Sequence, residues 1–297
     1  MQAQFGLLNV FKPRGITSRA VVNQIHRLVR PNKAGHAGTL DPLAEGVLVI
    51  CVGAATRLIE FVQRMPKRYV GTFLLGKDSE TQDVDSDVVD LRNAAKPTRE
   101  QIEAAISSFI GEVKQTPPAY SALKVGGKRA YALARAGQHV ELKARTVTVH
   151  EIKVLSYEDP KLVLDVRCGS GTYIRTLGRD IAIAVGSCAV MSALTRTAIG
   201  DFDIDKAWRL DSINQQSISD CLLSPCQAVS QLPFVQLSED EVRCIANGVS
   251  IDNRFSVNER EIATFDPAGC LVAILTPRGQ HALGPIRNFP RNVQSTT

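Results

Sequence analysis

Gly35-His36-Ala37-Gly38-Thr39-Leu40-Asp41-Pro42-Leu43-Ala44-Glu45-Gly46-Val47-Leu48 is a glycine-punctuated loop that runs directly into a strand. Glycines let a backbone come close to a ligand, and Pro42 stiffens the chain beside a carboxylate. Asp41 therefore has two readings. It is either a turn or cap residue, as Asp-Pro pairs commonly are, or a nucleophile or base that meets a substrate atom within hydrogen-bond distance. His36 divides in the same way between a loop histidine with local partners and a ligand contact.

Working outward from this loop, strand and helix patterns alternate. Thr17 and Ser18 are N-cap residues for a helix carrying Val21, Val22, Ile25, Leu28 and Val29 on one face and ending before Pro31. Thr98-Arg99-Glu100-Gln101 is a capping box ahead of Ile102, Ile106, Phe109 and Ile110, with Gly111 as the stop. Strands are predicted over Val47–Val52, Arg68–Leu75, Val147–Leu155 and Leu162–Val166, where β-branched residues cluster or alternate. A second capping box, Ser238-Glu239-Asp240-Glu241, opens a short helix, and Ile262–Phe265 and Cys270–Leu275 flank a turn at Asp266-Pro267-Ala268-Gly269. The chain is thus a mixed α/β protein, with a small β-rich part at its end.

Charge divides the chain at the same place. Of 35 Lys and Arg and 30 Asp and Glu, 29 basic and 23 acidic residues precede position 231, and 6 and 7 follow. The basic surface belongs to the first part, so the organisation expected is residues 1–230 as a larger domain and 231–297 as a smaller one. Asp201 to Ser230 reads as a connector, and the run Asp78, Glu80, Asp83, Asp85, Asp87, Asp90 as a solvated acidic loop. With 44% hydrophobic residues, the 297-residue chain is not a disordered one. No apolar run approaches the roughly 18 residues of a membrane helix, and Met1–Phe5 lacks the order of a signal peptide, so a cytoplasmic protein with no membrane partner is expected. Seven scattered cysteines suit reduced, mostly buried thiols, and no set of residues has the spacing of a metal site.

Three further segments carry chemistry. Lys67-Arg68-Tyr69 starts a strand, where Tyr69 either stacks on a base and offers its phenol or is an ordinary half-buried tyrosine. Gly169-Ser170-Gly171-Thr172-Tyr173-Ile174-Arg175 is a glycine turn entering a helix marked by Ile174, Leu177, Ile181 and Val185. It lacks a Walker loop's spacing, so nucleoside triphosphate binding is a poor reading. Arg175 suits a carboxylate partner if the fold brings Asp41 near, and is otherwise a surface arginine. Finally, Gln115 to Tyr131 opens a stretch in which Lys114, Lys124, Lys128, Arg129, Arg135, Lys143 and Arg145 face a single acidic residue, Glu141, with Tyr120 and Tyr131 interleaved. Cations for phosphates with flat faces for unstacked bases are what looped RNA requires, though a merely solvated basic face fits as well.

These segments, together with Lys12-Pro13-Arg14-Gly15-Ile16-Thr17-Ser18 and Leu194-Thr195-Arg196-Thr197 and in this order, resemble the bacterial tRNA pseudouridine-55 synthases of the TruB type. The resemblance spans Lys12 to Thr197. It implies a central, mainly antiparallel mixed sheet flanked by helices, a small C-terminal domain of the PUA type around Asp266–Ala273 and Leu283-Gly284-Pro285, and isomerisation of a T-loop uridine with no metal or organic cofactor. The implied partner is tRNA, through its T-arm stem-loop, met by a monomer with no obligatory protein partner. Asp41 matches the essential carboxylate of the family loop. Tyr69 matches the tyrosine that stacks on the target base and helps remove the C5 proton, and Arg175 the arginine that gives the carboxylate its countercharge. His36 matches the histidine that flips and holds the nucleotide, Tyr173 and Leu194 match pocket walls, and Lys12 a lysine beside the active site. Lys124, Lys128, Arg129 and Arg196 join them as expected RNA contacts. The target uridine must leave its stack to reach such a pocket, at a cost of a few kcal/mol.

Three residues depart from the family pattern: Phe11 stands where Asp or Asn is usual, Glu45 where Thr is usual, and Thr195 where an Arg commonly precedes Arg196. The last two bear on substrate affinity more than on activity. A non-catalytic tRNA-binding or tRNA-folding protein would have no need of Asp41, Tyr69 and Arg175 together. A guide-RNA-dependent pseudouridine synthase, or one acting on another RNA, shares the same motifs, and modification of naked tRNA by the purified chain alone discriminates it.

Overall fold

The computed structural model describes residues 5–120, 123–125, 127–130, 133, 136–138 and 142–290. The main sheet is built from β1 (Gly6–Lys12), β2 (Ala34–His36), β3 (Glu45–Val52) and β4 (Lys67–Leu75). Two short strands, β5 (Lys77–Asp78) and β6 (Val89–Asp90), pair with each other beside it. After β7 (Gly111–Gln115) comes a small hairpin of β8 (Lys124–Val125) and β9 (Lys128–Arg129), then β10 (Arg145–Glu158), β11 (Lys161–Cys168), β12 (Ala189–Ile199), β13 (Phe202–Asp203) and β14 (Trp208–Arg209). The order is β14-β1-β3-β12-β4-β11-β10-β7, with β2 on β3 and β13 on β12. Every pairing along it is antiparallel except β14 with β1 and β3 with β12.

Why the middle strand reads as an unbroken apolar run is visible in the packing. Val47, Val49 and Cys51 of β3 point into one core with Phe61, Val62 and Phe202. Leu48, Ile50 and Val52 point into another with α1 (Ser18–Val29). A strand buried on both faces has no polar face to alternate with. On α1, Val21, Val22, Ile25 and Val29 are buried, and Thr17 caps the helix by accepting from the Ala20 N–H, as its spacing predicts. A short helix α2 (Ile59–Arg64) follows β3, and α3 (Arg99–Ile106) carries the predicted capping box of Thr98 and Gln101. Beyond Ile106 the chain tightens to a 3₁₀ turn before Gly111, so this helix is shorter than the pattern suggested. Helix α4 (Ile174–Ala184) lays Ile174, Leu177 and Ile181 on the β4–β11 region of the sheet.

Two expectations are corrected. Asp201 to Ser230 is not a bare connector: β13 and β14 add to the main sheet, and Leu210, Ile213, Ile218, Cys221 and Val229 are buried. Its apolar residues are spaced for irregular chain, so no helical or strand period announced them. The acidic run is not wholly solvated either, because Asp83 is buried.

The second sheet comprises β15 (Phe234–Gln236), β16 (Ile251–Asp252), β17 (Ile262–Phe265), β18 (Leu271–Pro277) and β19 (Ala282–Asn288), in the order β15-β17-β18-β19-β16. Helix α5 (Glu239–Ala246) opens with the predicted capping box of Ser238 and Glu241. The two sheets share one core. Phe5 stacks on Phe289 at 5.9 Å, and Ala263, Leu271 and Ile274 pack with Leu7 and Val49. Around that core Arg64 pairs with Glu261 and Arg287 with Glu60, Arg57 donates to the Asn288 carbonyl at 2.8 Å, and the guanidinium carbons of Arg64 and Arg287 lie 5.2 and 5.3 Å from the Phe61 ring centre. Among the described residues no helix is long and apolar enough to cross a membrane.

Candidate active site

The site forms where β3, β12 and β4 meet. Arg196 on β12 stands opposite Gly46 in the parallel pairing with β3 and opposite Tyr69 in the antiparallel pairing with β4. Strand β3 thereby carries the Asp41 loop, and β4 carries Tyr69, to one point. The approach is close enough to require glycine at position 46: its φ is +101°, and a Cβ there would lie 2.2 Å from the Arg196 carbonyl oxygen. From the other side, the turn at 169–173 brings the start of α4 and hence Arg175. A cavity of about 520 Å³ opens between these elements, lined by Asp41, Tyr69, Tyr173, Arg175, Leu194 and Arg196 together with Lys67, Leu123, Arg145 and Met191. Its size falls within the range of pockets that bury a small-molecule-sized group.

Arg175 is the centre of the charge arrangement. Its Nη2 donates to Asp41 Oδ2 at 2.7 Å, and its Nη1 donates to Asp83 Oδ2 at 2.5 Å and to the Thr81 carbonyl at 2.8 Å. The Arg175 and Asp83 side chains are 7% and 4% exposed, against 48% for Asp41. The arginine is thus clamped from behind by a buried carboxylate and presents its other edge to an accessible one. Asp83 is itself fixed, since its Oδ1 accepts from Thr81 Oγ1 at 2.5 Å and from the Asp85 N–H at 3.1 Å. The loop is docked on β12 through Val84 N–H to Met191 O and Met191 N–H to Gln82 O. Sequence reasoning missed Asp83, and the only signal for it was its place in a Thr- and Asp-rich loop.

Tyr69 is half-buried. Burial pushes its phenol above the ordinary range, Arg196 pulls the other way, and Asp41 adds a smaller upward push, so the phenol is neutral at physiological pH. Arg196 is almost wholly buried, donating from Nε to the Val47 carbonyl at 2.7 Å and from Nη2 to the Gly38 carbonyl at 3.1 Å. It braces the backbone of the Asp41 loop, whereas an RNA contact was expected. Lys12, expected beside the active site, also turns its donors inward. It is buried and lies outside the cavity lining, with its ammonium on the carbonyls of Pro13 at 2.9 Å and Ile16 at 2.7 Å. Burial pushes it down to about 8, partly opposed by Asp41. Lys67 is likewise pushed down to about 8 by burial, and bonds the Met65 carbonyl at 2.6 Å.

His36 lies on β2 outside the cavity lining. Its Nδ1 is buried without a partner among the described residues, and burial lowers its pKa, assisted by Arg196 and Arg19. Tyr173 and Leu194 line the cavity. Lys124, Lys128 and Arg129 fall on the β8–β9 hairpin, next to the cavity residue Leu123. Tyr120 donates to Glu80 Oε1 at 2.7 Å. Tyr131, Arg135 and Glu141 lie outside the described residues. The two departures Glu45 and Thr195 turn out to be partners: they face each other in the β3–β12 register, and Thr195 Oγ1 donates to Glu45 Oε1 at 3.3 Å. Among the described residues no group of three His, Cys, Asp or Glu side chains is placed to hold a metal.

A mixed, mainly antiparallel sheet crossed by a cleft, with a small second sheet at one end, is a fold shared with solved structures. The structure is similar to the crystal structure of a Cbf5-Nop10-Gar1 complex (27% identity, TM-score 0.71, covering 93% of this chain and 79% of that one). It is also similar to that of an H/ACA RNP bound to a substrate RNA containing 2′-deoxyuridine (25% identity, TM-score 0.74, covering 98% and 87%). The family model described as TruB family pseudouridylate synthase (N terminal domain) matches residues 26–174. The chain is 36% identical to the tRNA pseudouridine synthase B of Rhodopirellula baltica, over 96% of this chain and 94% of that protein. It is 40% identical to that of an Arthrobacter species, over 97% and 98%. The chain belongs to the TruB family of pseudouridylate synthases.

Proposed function

We propose that this chain isomerises uridine to pseudouridine in tRNA, acting on the T-loop uridine at position 55 through the T-arm stem-loop, as a cytoplasmic monomer without a protein partner. Residues 1–230 form the catalytic unit in this reading, and residues 231–297 a PUA-like RNA-binding unit. The observation that carries it is the exposed Asp41 carboxylate, held at one oxygen by an arginine that is itself locked from behind, in a cavity shared with Tyr69.

The chemistry follows from that placement. A flipped uridine enters with its base against the Tyr69 ring and between Leu194 and Tyr173. Arg175 occupies Asp41 Oδ2, which leaves Oδ1 to meet the nucleotide. The fixed direction of the pair supplies orientation without reorganisation during the reaction. The C1′–N1 bond breaks, the uracil turns, and a C1′–C5 bond forms while C5 gives up its proton and the freed N1 takes one up, so substrate and product have the same composition. Tyr69, held neutral, stacks and hydrogen-bonds, and any help it gives with the C5 proton comes from its hydroxyl oxygen rather than from a resting phenolate. Arg196 and Gly46 keep the loop that bears Asp41 at its distance from the sheet.

Incubating the purified chain alone with an unmodified tRNA transcript, followed by mass-spectrometric mapping of pseudouridine, tests this reading. The expected result is a single new pseudouridine in the T-loop. Pseudouridine elsewhere in the tRNA would overturn the position, and none at all would overturn the activity.

A further inference from the structure

Arg145, the first residue of β10, stands opposite Gln115 in the pairing with β7, and both side chains grip Tyr173. Gln115 is buried, and its side-chain amide works as a piece of sheet: Oε1 accepts from the Tyr173 N–H at 3.0 Å and Nε2 donates to the Tyr173 carbonyl at 3.1 Å. Arg145 takes the ring instead. Its guanidinium carbon lies 4.8 Å from the Tyr173 ring centre, and its Nη2 donates to the Gly171 carbonyl.

Among the described residues, the four cations that line the cavity differ in what neutralises them. Arg175 is shared by two carboxylates. Arg196 and Lys67 are buried with their donors on backbone carbonyls. Arg145 is partly exposed and makes no ion pair among the described residues, and its Nε has no hydrogen-bond partner there. An aromatic face and one carbonyl hold a guanidinium in place without cancelling its charge. The cavity mouth therefore carries a positioned, planar cation that no carboxylate among the described residues neutralises, on the same wall that receives the base.

A nucleotide that swings its base into this cavity must bring its own backbone to the mouth, with a phosphate on either side of the ribose. We propose that Arg145, held flat on Tyr173, binds a phosphate flanking the flipped uridine. The inference rests on the proposed function, since it takes the flipped uridine as occupant. A guanidinium suits the task better than an ammonium, because its planar fork meets phosphate oxygens with two donors while its face stays on the ring. The opposing account is a purely structural brace that secures the 169–172 turn.

The experiment uses the full chain and an unmodified T-arm stem-loop, with Arg145→Gln and Arg145→Lys compared across a salt series. Arg145→Gln keeps a donor for the Gly171 carbonyl and loses the charge. It should raise KM about tenfold, with a smaller effect on kcat, and should flatten the slope of log affinity against log salt by about 0.7, the share of one phosphate contact on a single strand. Arg145→Lys should restore the slope but not the whole of KM. Each phosphate beside the target uridine is then replaced in turn by a neutral methylphosphonate. Wild type should lose affinity at one of them, and Arg145→Gln should lose nothing further there. A wild-type salt slope in Arg145→Gln, or undiminished methylphosphonate sensitivity, would overturn the proposal in favour of the brace. If wild type does not turn over the unsubstituted stem-loop, the functional reading itself falls and takes this inference with it. Should Arg145→Gln unfold, Arg145→Lys on the methylphosphonate series decides the matter, because a brace would show no coupling to a phosphate.

Discussion

Removing the Asp83 carboxylate tests whether the buried clamp behind Arg175 governs catalysis from a distance. In Asp83→Ala, Arg175 loses its 2.5 Å partner and keeps only the Thr81 carbonyl on that side, while the Asp85 N–H loses its acceptor and Thr81 Oγ1 falls back on Ser86 Oγ at 2.8 Å. Breaking one side of a buried ion pair typically costs about 3–5 kcal/mol. Arg175 retains Asp41, so the lower end of that range applies here, roughly 3 kcal/mol, equivalent to a fall in Tm of about 5 °C for a chain of this size. The effect on rate is separate. An arginine free to swing towards Asp41 displaces the carboxylate, and a misplacement of about 1 Å is worth on the order of a hundredfold in rate. Asp83→Asn keeps the volume and the loop hydrogen bonds but not the ion pair, so it should recover part of the stability while remaining slow. The assay is single-turnover release of tritium from C5-tritiated uridine in a T-arm stem-loop, read beside thermal unfolding and RNA affinity. A single-turnover rate in Asp83→Asn within about twofold of wild type, with RNA affinity unchanged, would refute the clamp, because that variant removes the charge that holds Arg175.

Three other outcomes follow from the same geometry. Gly46→Ala forces a Cβ against the Arg196 carbonyl at a positive φ and should cost roughly 3 kcal/mol or more, read as a fall in Tm; a neutral substitution would mean that β3 and β12 are not so closely apposed. Gln115→Leu removes both side-chain bonds to the Tyr173 backbone and should cost about 2–3 kcal/mol and raise KM, measured by thermal unfolding and steady-state kinetics; an unchanged KM would show that Tyr173 does not need that support. Lys12 and Lys67 are pushed from 10.5 down to about 8 by burial, so above pH 8 the unfolded chain binds more protons than the folded one and stability rises with pH towards 10.5, the full penalty applying below 8. Replacing both by Met should flatten that rise in Tm, and an unaltered slope would assign it to other groups.

Local structure was largely legible because its determinants are local. The Thr98–Gln101 and Ser238–Glu241 capping boxes, the apolar stripe of α1 and the hairpin of β17 and β18 each depend on residues a few positions apart. The sheet order was not legible in that way. That β12 enters between β3 and β4, parallel to one and antiparallel to the other, is a matter of long-range register, and the resemblance to a known family supplied only a mixed, mainly antiparallel sheet without its order. The site shows the same division. Asp41, Tyr69 and Arg175 stood out by motif, and the fold gathers them in one cavity. Asp83 was hidden because one buried carboxylate among six acidic residues has the same sequence appearance as its solvated neighbours. Arg145 was counted as one more cation in a basic stretch, because its distinction lies in the ring beneath it. Lys12 and Arg196 show the converse. Basic residues within a substrate-binding motif read as contacts to RNA, yet both spend donors on backbone carbonyls inside the fold.

The central claim, that the Asp41 carboxylate performs the isomerisation, is tested most directly by tritium release from a C5-tritiated T-arm stem-loop with wild type and Asp41→Asn, no other protein or cofactor being added. The account predicts release by wild type, and none by an Asp41→Asn chain that binds the RNA as tightly and unfolds at a similar temperature. Release by Asp41→Asn at a rate near wild type would contradict it.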